Sequence, residues 1–335
     1  MRDGTLTAEA LTAVCLERIA ARKEIGAWVA LDPDHALTQA RAADRAGRPG
    51  LLAGVPLGVK DIIDTADLPT EYGSPIYRGN RPPADAACVS LTRAAGGVIL
   101  GKTVTTELAN RHPRGTVNPH NLAHTPGGSS SGSAAAVADF QVPIAFGTQT
   151  AGSVIRPAAY CGVIGYKPTF GHFSPGGIKL QSHSLDTLGV LCRSLEDGAL
   201  MRGVLLGAPV RPPDRETAAP RIAVCRTPVW ADADAATQAL IERTADHLSA
   251  KGASVRELVF PAPFERILET HGRVMDFEAA RNYAFEYDTR FSDLSPDLRD
   301  GALARGRALS FDEYVEAMEA AETFRRFTDE QFAKV

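Results

Sequence analysis

The sequence lacks the marks of several broad protein classes. Its 335 residues hold five cysteines (Cys15, Cys88, Cys161, Cys192 and Cys225), scattered, odd in number and without a C-x-x-C pair. That argues against a disulfide framework or a cysteine zinc site and reads as small apolar residues in a reducing compartment. No apolar run approaches the roughly 20 residues of a membrane-spanning helix. The opening MRDGTLTAEALTAV is polar and then amphipathic, without the apolar centre of a secretory signal. Excess charge is lacking too: 36 basic against 40 acidic residues leave a net charge of -4. An overall basic footprint for nucleic acid is therefore absent, so the expected partner is a small molecule, with no nucleic acid and no membrane. Internal repeats are also missing. What remains, 44% hydrophobic and 23% charged residues, predicts a cytoplasmic globular protein long enough to bury a sizeable core.

Periodicity orders the chain. Residues 7–23 place Leu11, Val14, Cys15, Leu16 and Ile19 on one helical face behind Thr7, a good N-cap. A second helix is expected over 33–45, a buried strand over 57–63, a helix over 86–95 and a strand over 98–101. This alternation predicts an α/β sheet covered by helices. From about 101 to 189 helical pattern is rare and Gly, Ser, Thr, Pro, Asn and His crowd together, with apolar segments at 142–146 and 161–166. So long a stretch inside a domain points to function. Afterwards helices are expected at 195–206 and 232–251, strands at 221–226 and 254–260, a Pro-rich linker at 209–220, and a mostly helical tail broken near 292–296.

Three segments carry the chemistry. In GVPLGVKDIIDT (residues 54–65), Lys60 lies among Val59, Ile62 and Ile63. A desolvated lysine loses its proton more easily and becomes a base; the alternative is a lysine that packs its stem and snorkels to water. TPGGSSSGSAAAV (125–137) offers serines at the start of an Ala-rich helix, for capping, anion binding or catalysis, or else a flexible linker. VPIAFGTQTAGSVIRPAAYCGV (142–163) runs an apolar strand into small residues, then Ser153 and Arg156. Thr150, Ala151, Gly152 and Ser153 are the natural N–H donors of an oxyanion hole there.

Together, in this order, the three segments resemble the hallmark stretches of the amidase-signature hydrolases. Lys60, Ser129 and Ser153 stand 69 and 24 residues apart, as in that family's Lys, Ser, Ser triad. The resemblance is clear from the first helix to about residue 200 and looser beyond. It implies an α/β fold with a large mixed β-sheet covered by helices on both faces, as one domain over 1–335 with a catalytic core at about 50–190. Relatives usually continue beyond FAKV into a further strand, so a missing C-terminal segment is expected. The resemblance assigns Ser153 as the acyl-enzyme nucleophile, Ser129 as proton relay after a cis peptide bond, and Lys60 as base, with Ser130 in support. No metal or cofactor is called for, and a homodimer is plausible from the family.

Two departures bear on substrate. Gln149 stands where the family usually has an acidic residue, and Ala151-Gly-Ser-Val-Ile-Arg156 places the arginine one position late. This form resembles the malonamidase-like branch, which implies that Arg156 grips a substrate carboxylate; a structural ion pair with Asp186 is the other reading. The resulting expectation is a serine amidohydrolase that cleaves a malonamate-like carboxamide to acid and ammonia. The alternatives are a glutaminase subunit of an amidotransferase complex and a truncated non-catalytic relative. His112, His120 and His124 fit no strong zinc spacing.

Overall fold

Side-chain caps start the helices. In the computed structural model, which describes residues 5–210 and 219–334, Thr7 Oγ1 accepts from Ala10 N at 3.0 Å to open α1 (Ala8–Ala21). After β1 (Trp28–Leu31), Asp32 opens α2 (Pro33–Arg45) in the same way, with Pro33 at the position where a missing N–H costs nothing. Next come β2 (Pro56–Lys60), α3 (Ala87–Ala94) and β3 (Val98–Thr103). The strand expected over 57–63 stops at Lys60 because the chain turns at Asp61, whose carboxylate is held by Lys102 and the Glu71 amide. The stretch 101–189 is ordered as α4 (Ser131–Ala138), β4 (Ile144–Gln149), α5 (Ile155–Cys161), β5 (Ile164–Tyr166) and β6 (Thr187–Cys192). Helix α6 (Leu195–Leu206) follows, capped by Ser194 and closed by Gly207 at φ 59°.

Six strands form one mixed sheet in the order β1-β3-β2-β4-β6-β5. Strands β3, β2 and β4 run parallel, while β1, β6 and β5 pair antiparallel to their neighbours. Successive strand residues face opposite sides. Val59, Ile99, Ile144, Phe146, Leu188 and Val190 pack with α3 and α6. Leu100, Ala145 and Leu191 pack with α1, α2, α4 and α5. Helices therefore cover both faces. With Val59 on the α3/α6 side, Lys60 faces α4. Two glycines allow close approach there: a Cβ on Gly147 would stand 2.8 Å from Ser130 Oγ, and one on Gly132 would stand 2.2 Å from Ala27 O.

The chain divides into two compact units. The first comprises the described residues up to 210 together with 278–305. The second comprises 219–277 and 306–334. In the second, β7 (Arg221–Cys225) pairs in parallel with β8 (Ser254–Leu258), joined through α7 (Ala235–Ala250). Helix α8 (Ile267–Asn282) passes from the second unit to the first at Glu278. α9 (Ala284–Thr289), the expected break, α10 (Ala304–Ala308) and α11 (Phe311–Lys334) complete the tail. Of the expected Pro-rich linker, residues 211–218 lie outside the described residues. All five cysteines are free, four buried and Cys225 half-buried. No described helix is long and apolar enough to cross a membrane.

Candidate active site

Lys60 ends a strand buried at every position, and its own side chain is 0% exposed. Its Nζ donates to Ser129 Oγ at 2.7 Å, to Thr148 Oγ1 at 2.8 Å and to Thr148 O at 3.3 Å. No carboxylate pairs with it among the described residues. Burial is therefore the dominant influence and lowers its pKa from 10.5 to about 7, with Asp186 pulling the other way. The snorkelling alternative does not apply. A second buried lysine shows the contrast: Lys102, on the opposite face beside Val59, is matched by Asp61 at 3.2 Å.

The Ala-rich segment is the helix α4 and not a flexible linker, and its serines line up at its start. The Gly128–Ser129 peptide is cis. Ser129, Ser130 and Ser153 are all buried. Ser130 N donates to Ser153 O at 3.2 Å, tying the two serine segments together. Ser130 Oγ donates to Thr148 O and accepts from Thr148 N, both at 3.3 Å. Ser153 Oγ has no hydrogen-bond partner among the described residues, so its proton and lone pairs remain available. The N–H groups of Ala151, Gly152 and Ser153 likewise donate to nothing among the described residues, although this segment is partly enclosed. Free donors beside an available serine hydroxyl suit an incoming carbonyl oxygen.

The loop is held from both ends. Gln149 Oε1 accepts from Val154 N at 2.8 Å and Ile155 N at 2.9 Å, so a neutral amide pins the turn after Ser153. Thr150 Oγ1 donates to Asp186 Oδ1, and Asp186 Oδ2 accepts from Gln181 N at 2.7 Å and Ser182 N at 3.2 Å. Burial raises the Asp186 pKa, and these hydrogen bonds oppose the rise. Asp186 makes no ion pair with Arg156. Instead Arg156 Nε and Nη2 both donate to Gly128 O, at 3.1 and 2.7 Å, the carbonyl of the cis peptide. The exposed guanidinium lies beside the loop: a Cβ on Gly152 would stand 3.9 Å from Nη1.

His112, His120 and His124 form no metal-holding cluster among the described residues. His112 Nδ1 lies 3.2 Å from Asp297 Oδ2, and His120 Nε2 lies 2.9 Å from Cys161 O. Thr148 was missed by sequence reading, though it sits in the same GTQT run. A small polar residue in a strand carries no signal of its own until the neighbouring strand brings a lysine to it.

The mixed sheet and the serine–lysine constellation at its centre define the class, an α/β protein of the amidase-signature type. The family model described as Amidase matches residues 10–331, and the chain belongs to that family. It is 38% identical over 306 residues to a glutamyl-tRNA(Gln) amidotransferase subunit of Chloroflexus aggregans, covering 84% of this chain and 62% of that protein. The same-named protein of Acidothermus cellulolyticus is 38% identical over 338 residues, covering 91% and 66%. The chain thus spans under two thirds of the length of these curated relatives. Among solved structures, one described as an amidase superposes with a TM-score of 0.89 at 31% identity, covering 96% of this chain and 75% of that one. The native peptide amidase from Stenotrophomonas maltophilia superposes with a TM-score of 0.81 at 31% identity, covering 96% and 77%.

Proposed function

We propose that this chain hydrolyses a small carboxamide to the acid and ammonia through an acyl-enzyme on Ser153. The observation that carries the reading is Lys60: a fully buried lysine, hydrogen-bonded to Ser129 and without an acidic partner among the described residues, at the foot of a loop whose N–H donors at 151–153 are unused among those residues. Neutral Lys60 takes a proton from Ser129, which takes the proton of Ser153 as that oxygen attacks the amide carbon. The N–H groups of residues 150–153 stabilise the oxyanion as it forms. Collapse breaks the C–N bond, the proton returns through Ser129 to the leaving nitrogen, and ammonia departs. Water, activated by the same relay, then frees the acid and Ser153. The gap at Ser153 Oγ closes in the substrate complex, since catalytic hydrogen bonds are often long before substrate binds.

Arg156 supports a substrate with a free carboxylate, malonamate being the test case. Its guanidinium is exposed, fixed on Gly128 O and set beside Gly152, so a short acyl chain would span from it to Ser153. The second reading, a glutaminase subunit, is favoured by the names of the curated relatives. Ammonia release from malonamate and from L-glutamine, beside Ser153→Ala and Lys60→Ala, tests both. Activity on malonamate lost in both variants supports the first reading, and activity on glutamine alone transfers the site to the second. No release from either, with no labelling of Ser153 by a fluorophosphonate, would mark a non-catalytic relative.

A further inference from the structure

Helix α8 reaches the first unit at Glu278, a carboxylate only 1% exposed and not needed for the chemistry above. Glu278 Oε2 accepts from Ser182 Oγ and from Ser184 N at 3.1 Å; Oε1 accepts from Ser184 Oγ at 2.7 Å and lies 3.3 Å from His183 Nε2. One turn on, Asn282 Nδ2 donates to Gln181 O at 3.0 Å. The segment 181–184 is therefore wrapped on the end of α8. The same segment gives its Gln181 and Ser182 amides to Asp186, and Asp186 receives Thr150 at the head of the loop 150–153. An unbroken run of hydrogen bonds leads from Glu278 to the unused N–H donors.

We infer that Glu278 is a positioning residue that sets the oxyanion loop through Asp186 and Thr150, an inference that rests on the reading of Ser153 as nucleophile. A buried carboxylate that satisfies two serines at once leaves them unpaired when removed. The segment must then rearrange, the Asp186 amide donors move with it, and Thr150 loses its fixed acceptor. Glu278 touches neither Lys60, Ser129 nor Ser153, so its effect falls on transition-state geometry and not on substrate binding. Misplacement on the order of 1 Å costs about 100-fold in rate.

The test uses the full chain with Glu278→Ala, Glu278→Gln, Thr150→Val and the double variant Glu278→Ala/Thr150→Val. Hydrogen exchange of amides 151–153 is read beside kcat and KM for ammonia release from malonamate. Glu278→Ala should speed exchange at 151–153 and lower kcat by about 100-fold with KM within about twofold. Glu278→Gln, which keeps one acceptor, should recover part of the loss, and the double variant should be no slower than the worse single one. Unchanged exchange at 151–153 with faster exchange at 181–184 would overturn the inference, reducing Glu278 to a staple of the helix end. Losses that multiply in the double variant would also overturn it. Should Glu278→Ala not fold, Glu278→Gln carries both measurements. Should the parent release no ammonia, the catalytic reading fails while the exchange measurement still decides whether Glu278 holds the loop.

Discussion

The proposed mechanism makes activity pH-dependent in a definite direction through Lys60. With its pKa lowered to about 7 by burial, the lysine is a base only above that value. The expected kcat/KM profile therefore falls about tenfold per pH unit below about 7, with a limb that fluorophosphonate labelling of Ser153 should share. Stability follows with a worked sign. Between about 7 and 10.5 the unfolded chain holds the lysine proton and the folded chain does not, so the contribution of Lys60 to stability rises with pH across that window. Lys60→Met should gain most in melting temperature over the parent below about pH 7, the gain vanishing above 10.5; a pH-independent gain would contradict this. Arg156→Ala should raise KM for malonamate by about 10- to 100-fold, the worth of a charged hydrogen-bond pair. Acetamide, lacking the carboxylate, should be little affected; equal losses on both would reduce Arg156 to its bond with Gly128. Gln149→Ala strands the Val154 and Ile155 N–H groups, and a loss of about 1–3 kcal/mol in denaturant unfolding is expected.

At the scale of elements, short apolar strands and capped helices were legible because each depends on local pattern. The helix over 33–45 appears with those bounds, and α6 likewise, since Asp32 and Ser194 cap them within the local sequence. Strands β1 and β6 were not read as strands. Trp28–Leu31 is only four residues long, and β6 straddles the end of the Gly- and Ser-rich stretch, where pairing with β4 and β5 defines it. The end of β2 was also misplaced, because Asp61 turns the chain only when Lys102 arrives from β3. That pair carries an element-scale prediction: Asp61→Asn would leave a buried ammonium unmatched and should cost about 3–5 kcal/mol. Chemical denaturation checks it, and a loss under about 1 kcal/mol would show that Lys102 finds another partner or loses its proton.

For the whole molecule the two units differ in how much they bury. Every residue of β2, β3, β4 and β6 is buried, whereas no residue of β7, β8 or α7 is. Amides of β7 and β8 should exchange with solvent by lower-energy openings than those of β2 and β4, which hydrogen exchange resolves. Equal protection in both sheets would contradict this. Residue order alone was enough for the α/β class, for the bounds of α2 and α6, and to single out Lys60 and Ser129, which the fold brings within 2.7 Å. Each of these rests on local pattern or on motifs whose order survives in one dimension. The folded chain was needed to show that Lys60 lacks an acidic partner among the described residues while Lys102 has one, that Arg156 lies on Gly128 and not on Asp186, and that Glu278 holds the segment 182–184. Charges in a low-dielectric interior are set by what stands within a few ångströms, and those neighbours come from strands and helices far apart in the chain.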